Sequence, residues 1–230
     1  MNEPLIIDWQ PLWLSLKLAG VTMLILLAIG IPLAWWLAYS RRRWKIVVEA
    51  VISLPMVLPP SVLGFYLLLA FSPGNAFGGF LARHFDLRLV FTFPGLVLAS
   101  LIYSLPFMVN PVLAGFRGIP PDWKEASHTL GKSEWTTLFR VLLPNIRASL
   151  ITGAVLSFAH TIGEFGVVMM IGGSIPGQTK VASVAIYDEV LSTNYPLANR
   201  YAIVLLVLSF LILLLVYGIN YYYNKYKSLP

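Results

Sequence analysis

Long apolar stretches alternate with short polar ones along the whole chain. About 20 apolar residues cross a bilayer as an α-helix. Five runs reach that length, roughly 11–39, 47–71, 91–116, 145–172 and 201–223. None shows the period-two alternation of a barrel strand, and an open strand edge would leave its backbone unbonded in lipid. The expected fold is all-α integral membrane: one transmembrane domain over residues 1–230 with five transmembrane helices. A shorter stretch from Lys180 to Leu191 carries Val181, Val184, Val190 and Leu191 at helical spacing. It is too short and polar to span, so a surface-lying helix is expected there.

The positive-inside rule orients the spans. Eleven of the sixteen lysines and arginines fall on one side: Arg41, Arg42, Arg43, Lys45, Arg117, Lys124, Lys132, Arg140, Arg147, Lys225 and Lys227. That side is expected to be cytoplasmic, with the N-terminus outside and the C-terminus inside. The formal charge of +6 is thus accounted for by orientation, and no nucleic-acid partner is expected. Trp9, Trp13, Trp35, Trp36 and Trp44 near the ends of the first run, and Tyr221, Tyr222 and Tyr223 at the end of the fifth, read as interfacial belts. A cleaved leader is not expected, because the first run is too long and Glu3 and Asp8 precede it.

Composition narrows the chemistry. The chain is 58% hydrophobic and 11% charged, too apolar for one soluble domain. It has no cysteine, which excludes disulfides, thiolate metal sites and cysteine nucleophiles. His84, His128 and His160 are too scattered to form a metal motif, so no metal is expected.

Residues 122–141 form a polar island between the third and fourth runs, with start and stop signals of its own. Pro120-Pro121 ends the preceding helix. Asp122 with Glu125 three residues later has capping-box spacing, predicting a helix from Trp123 to about Leu130. Gly131 suits the left-handed turn beyond a helix end. Ser133 then caps a second helix from Glu134, and Pro144 leads into the fourth span. Gly131-Lys132-Ser133 resembles the end of a phosphate-binding loop, but position 126 is Ala and no strand precedes it. No cofactor is therefore expected in this chain.

Two spans carry features that lipid does not favour. Pro55, Pro59 and Pro60 interrupt the second. Broken backbone at membrane depth belongs in packed protein or beside a wet cavity, so a packing kink and a pathway lining both remain open. The fourth contains His160 and Glu164, four residues apart and so on one helix face, able to pair. A paired, structural or gate role suits Glu164 better than direct contact with an anion. Thr161 and Ser157 are candidate lining groups, and Gly163 and Gly166 permit close helix approach.

The polar island reads Glu125-Ala126-Ser127, three residues, Gly131, nine residues, then Val141-Leu142-Leu143-Pro144. This resembles the EAA loop of type I ABC importer permeases: Glu-Ala-Ala, three residues, Gly, nine residues, Ile-x-Leu-Pro. Ser127 stands for the second Ala and Val141 for Ile. The resemblance implies a coupling helix that docks on an ATPase through Glu125, Ala126 and Ser127. Gly131 would make the turn, and Leu143 and Pro144 would begin the next span. Leu54-Pro55-x-Val57-Leu58-Pro59-Pro60, Gly163-Glu164-Phe165-Gly166 and Ile175-Pro176-Gly177-Gln178-Thr179 look like the molybdate permeases. Glu is commoner there at the position of Gln178, and the Gly-Glu-Phe-Gly stretch is similar in sulfate permeases too.

The resemblance implies a non-catalytic, multi-pass subunit of the bacterial inner membrane. A second permease copy would complete a homodimer, and two cytoplasmic ABC ATPases would drive it. An external oxyanion-binding protein would deliver the cargo, and transport would proceed by alternating access. A sulfate or tungstate permease of the same fold is the nearest alternative. A secondary transporter or channel would be expected to show two matching broken repeats, and only one broken span is evident. An intramembrane enzyme would need a nucleophile or metal cluster, and neither is visible.

Overall fold

In the computed structural model, which describes residues 7–227, all regular structure is helical. The side chains of 219–227 are not described, so the expected belt at Tyr221–Tyr223 and the basic pair Lys225 and Lys227 lie outside the described side chains. Three helices are long and apolar enough to cross a membrane, or up to five elements if each of two bent pairs counts as one span.

The first long helix, α1, is Gln10–Tyr39, opened by Pro11 in its first turn and ended where Ser40 turns extended. At 1.5 Å per residue its 30 residues reach about 45 Å, longer than the hydrocarbon core. The second run bends. Helix α2 (Lys45–Ser53) passes into a 3-10 turn (Leu54–Met56) and then α3 (Pro60–Phe71), with 109° between the two arms. The cause lies in the sequence: Pro59 is extended, and Pro60 lacks the N–H that would continue the helix. A ten-residue helix α4 (Ala76–Phe85) follows. Nothing in the sequence announces it, since Pro73, Gly74, Gly78 and Gly79 crowd that stretch with turn formers.

Helix α5 (Phe93–Arg117) is the central post. Thr92 caps it, its Oγ1 accepting from Gly95 N–H at 3.3 Å, and Pro106 and Pro111 sit inside it. It packs against α1 along one side and the fourth-span helix along another. Two apolar clusters follow its length. Leu96 and Ala99 meet Leu14 and Leu18 of α1 in one, and Met108, Val112 and Phe116 meet Leu26, Ala34 and Leu37 in the other.

The polar island forms α6 (Pro121–Thr129) and α7 (Glu134–Thr137), a π-helical turn (Leu138–Leu142) and a single turn α8 (Leu143–Asn145). Helix α6 starts at Pro121 rather than after Asp122, and no side chain caps it. Proline at the first helical position needs no acceptor, which removes the need for the expected capping box. The second helix does not run straight into the membrane either. It bends by 79° at Ile146 before α9 (Arg147–Ile162).

The fourth run is itself interrupted. After α9 the chain breaks at Gly163–Phe165 and resumes as α10 (Gly166–Gly172). Helix α11 (Ala182–Leu191) buries Ala182, Val184 and Ala185, so it is docked into the bundle rather than laid on its surface. Helix α12 (Tyr195–Lys227) packs on α11 and α9 and leaves most of its apolar described surface exposed.

Candidate functional site

Two places gather polar chemistry. At the first, α6 and α7 fold against each other around the Gly131 turn. Gly131 has φ +71°, a conformation that costs residues with a Cβ about 1–2 kcal/mol. Ser133 caps α7, its Oγ accepting from Thr136 N–H at 3.2 Å. Ser127 and Thr137 meet at 2.8 Å between their hydroxyls. Thr137 donates to the Ser133 carbonyl at 3.0 Å, so the shared proton comes from Ser127. Glu134 closes the outer side, 3.2 Å from Lys124 Nζ and 3.4 Å from His128 Nε2. Lys124 also lies 4.6 Å over the Tyr39 ring, which ties the element to the end of α1.

The residues expected to dock a partner therefore separate. Glu125 and Ala126 are exposed on α6, whereas Ser127 is buried inward as the clasp to Thr137. The helix turns the Ser127 hydroxyl toward α7, where the residue sits at the floor of a cleft rather than on the outer face. Leu143 and Pro144 are half-buried in α8, where the chain turns toward α9. Around the element Trp123, Leu130, Trp135 and Phe139 are exposed. A cleft of about 530 Å³ opens beside them, lined by Trp123, Ala126, Leu130, Lys132 and Arg140. Exposed indoles and a leucine in a polar, basic setting are the anatomy of a protein-docking surface.

The second place is an open cavity of about 620 Å³ where the two broken spans meet. Pro60 and Ser61 of α3, Tyr103 of α5, His160 of α9 and Glu164 in the break all line it. Helices α3 and α10 approach closely here. A Cβ on Gly166 would stand 2.8 Å from Pro60 Cβ and 3.2 Å from Ser61 N.

His160 and Glu164 do not pair with each other. Helix α9 ends at Ile162, so the shared face that their spacing implies stops before Glu164. Each turns instead to α5. Glu164 Oε2 accepts from Ser100 Oγ at 2.9 Å, and Oε1 has no hydrogen-bond partner among the described residues. His160 Nδ1 lies 3.0 Å from Ser104 Oγ, and its ring stacks on Phe107 with centroids 4.0 Å apart.

Proton accounting settles the imidazole. Thr161 Oγ1 donates to the Ser157 carbonyl at 2.9 Å, so at 3.0 Å it accepts from Ser104 Oγ. Ser104, its proton spent, accepts from His160 Nδ1–H. Only this order satisfies all three contacts, and it places a proton on Nδ1.

Of the residues expected along a pathway, Pro60, His160 and Glu164 reach this cavity. Ser157 and Thr161 are buried in the hydrogen-bond chain behind it, Pro55 is buried at the bend, and Pro59 is exposed at the start of α3. Ser100 and Ser104 were missed, because single serines in an apolar helix carry no pattern. Their spacing of four, which puts them on one face of α5, was the available signal.

Half-helices meeting at a polar cavity inside a bundle of apolar helices fit a transport permease. The chain belongs to the family of binding-protein-dependent transport system inner membrane components, matched over residues 30–227. It is a multi-pass inner-membrane permease subunit of an ABC importer, a non-catalytic class of membrane subunit.

Among its relatives is the molybdenum transport system permease protein ModB of Azotobacter vinelandii, 46% identical over 212 residues, 92% of this chain and 93% of that one. The sulfate transport system permease protein CysT of Escherichia coli strain K12 is 35% identical over 191 residues, 83% of this chain and 68% of that one. The fold is also that of a bacterial ABC transporter that imports alginate, with a TM-score of 0.76 at 17% identity over 95% of this chain and 79% of that one. The MetNI methionine ABC transporter in an inward-facing conformation gives 0.72 at 19% identity, over 95% and 97%.

Proposed function

We propose that this chain is the pore-forming subunit that moves molybdate from an external binding protein to the cytoplasm. Two copies form the pore, α6 with its Glu125 and Ala126 sits on a cytoplasmic ATPase, and the ATPase supplies the ATP and Mg chemistry. Orientation follows the charge: the basic α6–α9 segment inside, the 173–181 loop outside. The observation that carries the cargo is the similarity to the Azotobacter molybdenum permease across nearly the full length of both chains. The cavity supports transit rather than storage. No lysine or arginine lines it among the described residues, so it would hold a dianion poorly. A pathway needs such weak retention, and capture at high affinity then belongs to the binding protein.

The test is the complete assembly reconstituted in vesicles with its ATPase and binding protein, exposed to molybdate, tungstate and sulfate. Molybdate-stimulated ATP hydrolysis with accumulation of molybdenum is expected. Stimulation by sulfate without stimulation by molybdate would transfer the reading to a sulfate permease, for which the shared Gly163–Gly166 stretch and the CysT similarity speak. Glu125→Lys is expected to leave the protein in the membrane and abolish the stimulation.

A further inference from the structure

Helix α10 is seven residues long, too short to hold a position by its own backbone, yet it forms one wall of the cavity. Its two ends are fastened to the same neighbouring segment. At the start, Ser183 Oγ of α11 donates to the Glu164 carbonyl at 2.6 Å. At the end, Thr179 Oγ1, wholly buried, donates to the Gly172 carbonyl at 2.6 Å and accepts from Ile175 N–H at 3.2 Å. Both carbonyls lie where the helix is interrupted or finished and lack an intrahelical donor. The segment that supplies the donors is itself rigid. Asp188 of α11 accepts from Ser174 Oγ at 2.5 Å and pairs with Lys180 at 2.9 Å. Phe165, in the break, lies 4.9 Å from the Tyr187 ring of α11.

We propose that Thr179 and Ser183 are positioning residues that tie the two ends of α10 to the 179–183 segment leading into α11, so that the cavity wall at Glu164–Gly166, which packs on α3 and α5, is coupled to α11 as well. Displacement at the exposed side of α11, where Tyr187, Val190 and Leu191 stand, then reaches the cavity through these two bonds. The transport role of this motion rests on the function proposed above; the clamp itself does not.

The absence of native cysteine allows a direct reading. Val167 is fully buried on α10, so a single V167C substitution reports opening of that helix through its rate of thiol modification in the assembled complex. With both hydroxyls present the rate should be low. In T179V/S183A, which loses three hydrogen bonds, it should rise by more than about tenfold, the effect of one such bond alone. Ser183→Thr, which keeps the hydroxyl, should stay slow, and Ser183→Ala alone is the milder form should the double variant fail to assemble. An unchanged rate in both S183A and T179V/S183A overturns the clamp. The same proteins are assayed for the ratio of ATP hydrolysis with and without loaded binding protein, and this ratio should fall severalfold in step with the modification rate. Faster modification with an undiminished ratio overturns the relay. A complex with native Thr179 and Ser183 that no oxyanion stimulates would defeat the transport reading instead, while the modification rate still decides the clamp.

Discussion

Gly131 is where one residue type decides local structure. Its φ of +71° is closed to most side chains, yet a Cβ there would meet nothing within 4 Å. Substitution therefore tests backbone strain alone. Gly131→Ala should cost about 1–2 kcal/mol and Gly131→Asn less, read as thermal unfolding of the purified complex, since Asn tolerates this region better. An equal cost for both would show that the turn itself relaxes. The clasp behind it gives a second ranking. Removing Ser127 takes away only a donor, whereas removing the Thr137 hydroxyl strands the buried Ser127 hydroxyl, while the Ser133 carbonyl keeps the Thr137 N–H at 2.9 Å. Ser127→Ala should cost about 1 kcal/mol, and Thr137→Val more, by the same unfolding measurement. The Gly131 turn was legible in the sequence, since glycine after a helix has few other uses. The inward aim of Ser127 was not, because motif spacing says which residues recur and not which way the helix has turned them.

At the level of helices, the unbroken elements α1, α5 and α12 were legible because a continuous apolar run of that length has one stable form in lipid. The broken ones were legible only where proline marks them. Pro59 and Pro60 announced the bend before α3, but Gly163-Glu164 gave no comparable signal, and α9 and α10 were read as one helix with a His160–Glu164 face. The same crowd of glycines that hid α4 looks like a loop in any local reading. Close packing of the two half-helices makes a sharp prediction. A methyl on Gly166 would press on Pro60 Cβ at 2.8 Å and Ser61 N at 3.2 Å, while one on Gly163 meets only carbonyl oxygens at 3.8 and 3.9 Å. Gly166→Ala should destabilise the complex by about 1–3 kcal/mol and reduce cargo-stimulated ATP hydrolysis, whereas Gly163→Ala should be near neutral in both. If the two behaved alike, the α3–α10 contact would not set the shape of the cavity.

For the whole molecule the bilayer supplies the frame that single-chain packing does not. The outer face of α12 exposes Leu206, Phe210, Leu211, Leu214 and Leu215, which water would not tolerate and lipid does. Exposed Val47, Val51 and Val57 on the bent second run, and Phe65 and Tyr66 on α3, add apolar surface on the broken-span side. The proposed orientation, with the α6–α8 element toward the cytoplasm, rests on charge. Arg41, Arg42, Arg43 and Lys45 after α1 lie on the same side as the α6–α8 element, and Lys124 over the Tyr39 ring joins the two physically. The 173–181 loop lies at the far end of α10 from the break. Single cysteines separate the two orientations without background, because the native chain has none. Ala126→Cys and Gln178→Cys both place an exposed thiol on a residue without a described side-chain bond. In intact cells a membrane-impermeant maleimide should modify the cysteine at position 178 and spare that at 126, and in inverted vesicles the pattern should reverse. Modification of position 126 from outside would put the docking element on the wrong face for a cytoplasmic motor. The basic residues would then have to be held outside by something stronger than the few kcal/mol that orient most helices.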